Sequence, residues 1–162
     1  MSSLSNPALP GRRRVRSRGL TLIEVTLVIG LVAVLATLAL SGWNGWRKRI
    51  HNSQAQADII AISAVIDQFF ADKESFPASL AAIGRGDMKD PWGNAYVYVD
   101  LTTAKGNGKA RKDHSLVPLN SDYDLYSKGA DGKSASALTA ESSKDDILRA
   151  NNGRFVGLGA DY

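Results

Sequence analysis

The sequence predicts an α+β fold, with one long N-terminal helix whose first half is apolar and whose second half packs on a small antiparallel sheet. Three observations predict it. Residues 20–40 form an apolar run broken only by Glu24 and scattered threonines. Ile59, Ile62, Ile66 and Phe69 then recur at spacings of three, four and three, the mark of one helix face. Beyond Pro77 the chain turns to short β-prone runs set among turn residues.

The elements follow in order. Residues 1–19 are polar, rich in arginine and end in Gly19. As a helix at about 1.5 Å per residue, the run 20–40 reaches roughly 30 Å, enough to cross a bilayer core. A removable secretory signal has a shorter apolar region of about 7–15 residues. Ala33, Ala36 and Ala39 lie at spacing three and allow another helix to approach closely. The helix extends from about Leu20 to Phe70, with Gly42 and Gly45 as weak points where it can bend or unwind. Asp58, Gln68 and Asp72 mark its polar face. Asp90-Pro91-Trp92-Gly93-Asn94 is a turn, with Trp92 filling space under the sheet. Ala95–Val99 and Tyr123–Ser127 are strand candidates. Residues 104–115 and Gly129–Lys144 are loops, and Asp145-Asp146-Ile147-Leu148 opens a short last element.

Charge is unevenly placed. The chain of 162 residues has 20 basic and 16 acidic side chains. Arg12, Arg13, Arg14, Arg16 and Arg18 fall before Gly19 with no acid among them. Without them, acids slightly outnumber bases, so the net charge argues for no nucleic-acid partner. The arginine cluster suits an anionic membrane surface and orients the N-terminus to the cytoplasm by the positive-inside bias, which Arg47, Lys48 and Arg49 oppose. Trp43 and Trp46 either sit at the far membrane interface or pack on the soluble domain. Lys105, Lys109, Arg111 and Lys112 read as a solvated basic loop. No cysteine is present, which excludes disulfides, thiol catalysis and thiolate metal sites.

Catalysis finds little support. His51 lies beside a basic cluster and His114 in a polar loop, each without a nucleophile near it in sequence. Ser127 is outside any Gly-x-Ser-x-Gly elbow, and Lys133 lacks a phosphate-binding glycine frame. Asp124, Asp131, Asp145 and Asp146 are too widely spaced for one EF-hand loop. They converge on a cation if residues 128–144 fold back, and are solvated loop acids otherwise.

The stretch Arg18-Gly19-Leu20-Thr21-Leu22-Ile23-Glu24-Val25 resembles the prepilin processing signal, with glycine before the cleaved bond and glutamate fifth in the mature chain. Phe76-Pro77, Asp90–Tyr96, Asp124–Gly132 and Asp145-Asp146-Ile147 resemble, in order, the major pseudopilin family of type II secretion, the G subunit within the type IV pilin-like superfamily. The sequence departs from that pattern at Leu20 (usually phenylalanine), at Ser41 (often proline), in the longer, less glycine-rich segment 133–144, and in Ala160-Asp161-Tyr162 at the end.

The resemblance implies a type IV pilin-like fold with a cleaved leader, 1–19. A transmembrane and polymerisation helix, 20–41, follows it, and then a periplasmic domain, 42–162, with a calcium loop at its C-terminal end. It implies a non-enzymatic structural subunit of a periplasmic pseudopilus that drives export of folded proteins. The subunit would be anchored once in the bacterial inner membrane with its N-terminus in the cytoplasm. The implied partners are further copies of itself, minor pseudopilins, an inner-membrane assembly platform and a prepilin peptidase. That peptidase would cut between Gly19 and Leu20, and Leu20 would be N-methylated. The implied calcium ligands are Asp131 and Asp146, with a backbone carbonyl near Leu125 and with Asp124 and Asp145 as further candidates. A type IV pilin of an adhesion or DNA-uptake filament is the competing reading.

Glu24 is the residue with the most to explain. A carboxylate at the centre of a membrane helix costs about 2.5–3.5 kcal/mol, and less near the end, where Glu24 stands. Cleavage after Gly19 would place a new amino group on Leu20, on the same helix face as Glu24. In a filament that amine would pair with Glu24 of a neighbouring subunit and fix the register.

Overall fold

The structure, a computed structural model, describes Gly19, residues 21–103 and residues 110–162, with all of their side chains except those of 39–44. Residues 1–18, Leu20, Lys105 and Lys109 lie outside the described residues, as do the side chains of Ala39 and Trp43. The chain forms two compact units, residues 1–42 and 43–162.

Helix α1 spans Leu22–Lys73 and is not interrupted at Gly42 or Gly45. It starts at Leu22, where Thr21 caps it by accepting the Glu24 amide on its hydroxyl at 3.3 Å. It ends where Glu74 takes a left-handed conformation (φ 53°) and donates its amide to the Phe70 carbonyl. In the first unit, every residue from Thr21 to Leu38 is exposed. Among the described residues, no helix is long and apolar enough to cross a membrane.

The second unit holds a four-stranded antiparallel meander. Its strands are β1 (Val97–Asp100), β2 (Tyr123–Ser127), β3 (Ile147–Ala150) and β4 (Phe155–Leu158), in that spatial order. Val97 opposes Tyr126, Tyr126 opposes Leu148, and Leu148 opposes Gly157. The element opening at Asp145 is thus β3. Sequence patterning missed β4, because Phe-Val-Gly-Leu with a central glycine is a weak strand signal.

Side chains alternate across the sheet, so each face builds its own core. Tyr123, Leu125 and Ile147 meet Ala55, Ile59, Ile62 and Ile66 of α1, joined by Leu80 and Tyr96. Leu148 and Ala150 point the other way and join Leu119 and Leu138 from the loops, with Tyr126 and Phe155 beside them. The helix face differs from expectation at both ends. Ala55 belongs to it, while Phe69 is only half-buried and its neighbour Phe70 stacks on Phe76 at 4.5 Å. Asp58 is not on the far face, since it accepts the Tyr96 hydroxyl at 2.8 Å. Burial, with that hydrogen bond, pushes the Tyr96 phenol up, so it remains a donor.

Ile62 is fully buried, whereas Ile60 is 57% exposed on the same helix. Ile62→Ala should cost about 2–5 kcal/mol of stability in urea denaturation, and Ile60→Ala no more than about 0.5 kcal/mol.

Candidate functional site

Two places carry the residues singled out in the sequence. The first is the start of α1. Thr21 donates its amide and its hydroxyl to Glu24 Oε2, at 3.3 and 3.4 Å, and the Glu24 amide returns a bond to the Thr21 hydroxyl. This reciprocal arrangement is a capping box, and Thr-x-x-Glu signals it in sequence. Glu24 therefore satisfies the helix end in the isolated subunit, a role missed when it was read only as a charge. Further along, the Thr26 hydroxyl donates to the Ile23 carbonyl at 2.9 Å and that of Thr37 to Val34 at 2.7 Å. The hydroxyls are satisfied within the helix, so they add little to the cost of apolar surroundings. Gly19 is exposed, and a Cβ built on it meets nothing within 4 Å.

The second place is the loop after β2. Asn94 and Asp90, from the turn before β1, tie this loop down. Asp90 accepts the Trp92 and Asn94 amides on Oδ1 and the Ser127 hydroxyl on Oδ2. Asn94 Nδ2 donates to the Gly129 carbonyl at 3.1 Å. The turn is structural, as expected, and Trp92 is half-buried against the core with His51 edge-on at 5.7 Å. His114 is exposed. Trp46 is 61% exposed, so it does not belong to the core of the second unit.

The structure divides the four aspartates into two pairs. Asp131 is exposed, donating its amide to Asp145 Oδ2 and accepting the Lys133 amide on Oδ1. Asp146 and Asp124 are buried and engaged elsewhere. Asp146 Oδ2 lies 2.7 Å from Arg111 Nη1 and also accepts the Ser134 hydroxyl. Asp124 accepts the Arg111 amide on Oδ2 at 2.7 Å and Asn120 Nδ2 on Oδ1 at 2.9 Å. Burial pushes both carboxyls above their ordinary range, against the hydrogen bonds and the Arg111 charge that pull them down. Leu125 is a buried strand residue opposite Tyr98.

Calcium takes six to eight oxygens. Among the described residues, no three of His, Cys, Asp or Glu gather so as to hold a metal. The residues implied by the family resemblance do not fit the ion in this arrangement, because a guanidinium stands against the buried carboxylate. Arg111 itself overturns its reading as part of a solvated loop, being only 3% exposed.

Comparison with known proteins bears on both places. No protein-family model and no solved structure matches the chain. It is 27% identical to the type II secretion system core protein G of Escherichia coli K12 over 139 residues, covering 73% of this chain and 85% of that protein. It is 30% identical to the core protein G of Pseudomonas aeruginosa over 142 residues, covering 75% of this chain and 89% of that protein.

The chain belongs to the type II secretion system core protein G family.

A type IV major pilin of Myxococcus xanthus is 28% identical over 101 residues, but only 44% of that longer protein is covered. The core protein G relatives are structural subunits of the secretion system and not enzymes.

Gly129 has φ 63°, and a Cβ there would lie 2.3 Å from the Asp145 carbonyl oxygen. In this core protein G relative, Gly129→Ala should therefore force Asp145 away and break the Asp131–Asp145 contact. Left-handed strain adds about 1–3 kcal/mol to the cost. Thermal melting and faster proteolysis within 128–144 would report it.

Proposed function

We propose that this chain is the major subunit of a type II secretion pseudopilus, anchored in the inner membrane and polymerised through the first half of α1. The observation that carries the reading is the surface of that half-helix. Leu22 is 86% exposed and Leu27 68%, and every residue from Thr21 to Leu38 is exposed. An apolar surface of that extent marks a membrane or protein interface. With the basic leader on the cytoplasmic side, the run 20–40 spans the bilayer core before assembly, and packs against the same segment of neighbouring subunits after it.

Processing and assembly follow from the start of the helix. A prepilin peptidase removes 1–19, the new amine on Leu20 becomes methylated, and in the polymer it pairs with Glu24 of the next subunit. Minor pseudopilins and an assembly platform complete the system. The capping box keeps Glu24 paired until that partner arrives, which limits the cost of holding a carboxylate at the membrane edge. The similarity to a type IV pilin supports a second reading, a surface filament. Deleting the gene separates the two, because loss of an exported protein supports secretion whereas loss of a surface pilus with normal export supports the pilin reading.

Glutamine at the third helical position retains the capping box but not the charge. Glu24→Gln should insert in the membrane and keep its helix, yet polymerise poorly. Losing one partner of a buried pair costs about 3–5 kcal/mol, enough for a fall in cross-linked polymer of at least about tenfold. Polymer at wild-type level would refute the pairing.

The fold makes no demand for glycine at position 19. Gly19→Ala should therefore leave the domain's melting unchanged and slow removal of the leader, and Gly19→Val should abolish it. Mass spectrometry of the wild type should find Leu20 as the first residue.

A further inference from the structure

Asp146 is fully buried, and a carboxylate without water needs a positive charge or must stay protonated. In this chain the charge comes from Arg111, which lies 35 positions earlier and is itself 3% exposed. The guanidinium does more than pair. Its Nη1 also donates to the Ser134 hydroxyl, and its Cζ sits 4.3 Å from the centre of the Tyr126 ring. Its backbone amide donates to Asp124 and its carbonyl accepts the Leu119 amide. The next residue continues the seam. The Lys112 amide donates to the Ser136 carbonyl at 2.7 Å and its carbonyl accepts the Leu138 amide at 3.0 Å. One short segment, 110–112, thus clamps β2, the loop around 134–138 and the start of β3.

The groups left without partners point the same way. Arg111 Nε and Nη2 and Asp146 Oδ1 are buried with no hydrogen bond among the described residues. Two of the three are donors, which call for a water or another acceptor and would repel a cation. Of the other acids, Asp124 has both oxygens occupied, by the Arg111 amide and by Asn120, while Asp131 and Asp145 are joined by one bond, from the Asp131 amide to Asp145 Oδ2, nearer the surface.

We propose that Arg111 is the built-in cation of the loop 128–146, so that this domain folds and holds its loop without any divalent metal. The guanidinium is covalently attached and planar, so it supplies charge and direction together. A subunit of this kind remains folded where free calcium is scarce, and its filament does not respond to calcium. The proposal concerns the domain alone and stands whether or not the polymer assembles as described above.

The test is thermal melting of the purified full chain in detergent, in calcium chloride and in the chelator EGTA, together with isothermal titration of calcium into the chelated protein. The expected result is the same Tm in both conditions and no binding heat. A genuine site filled to about 100 times its Kd would raise Tm on the order of 10 °C for a domain of this size. Such a rise, or its loss in EGTA, overturns the proposal. Arg111→Met should lower Tm and speed proteolysis within 128–144 by about tenfold or more, as expected when a buried charge is left alone. Arg111→Met with Asp146→Asn should recover at least half of the lost Tm, because both charges are then gone. Arg111→Met melting like the wild type would overturn the assignment, and so would a double variant no better than the single one. If Arg111→Met does not fold, the calcium and EGTA melts of the wild type still decide the question.

Discussion

A single helical backbone, α1, carries two surfaces of different kinds, and this constraint governs what the chain does. From Ala55 to Ile66 one stripe is buried by Tyr123, Leu125 and Ile147 of the chain's own sheet. From Thr21 to Leu38 the helix is apolar and exposed. The hydrophobic effect is indifferent to whether cover comes from the same chain, from lipid or from another copy. The first half is therefore completed only in company. That physical incompleteness is what the proposed role as a polymer subunit uses.

The polar groups at the start of the helix are arranged to tolerate this. Thr21 and Glu24 cap one another, and Thr26 and Thr37 turn their hydroxyls back on the helix. A helix with its end groups and side-chain hydroxyls satisfied internally can pass between solvents of different polarity without leaving orphaned donors. The same economy appears in the second unit, where Arg111 and Asp146 remove one another's charge from the core and Arg149 forms a bidentate pair with Asp122 at 2.6 and 2.9 Å while covering the Tyr123 ring.

Much of this was legible in the chain itself. The isoleucine spacing marked the packed face of α1, and Tyr123–Ser127 matched strand β2 residue for residue. Asp90–Asn94 was readable as a structural turn. Other features escaped for definable reasons. Strand β4 contains a glycine and follows an irregular Asn-Asn-Gly turn, so its local pattern is faint. Arg111 sits in a run of lysines, polar residues and glycines, where an arginine destined for burial is spelled like one left in water. The aspartates were readable as a set of acids, but their division into an outer pair and an inner one was not.

The sequence by itself determined the long helix followed by short strands, the packed face of that helix and the family, because periodicity and short motifs are local properties of the chain. Only the tertiary structure decided which charge meets which. Arg111 and Asp146 are brought to 2.7 Å by the pairing of 110–112 with 136–138 and by the position of β3 beside β2. No local rule relates residues that far apart. Their partnership exists only once the sheet has placed them.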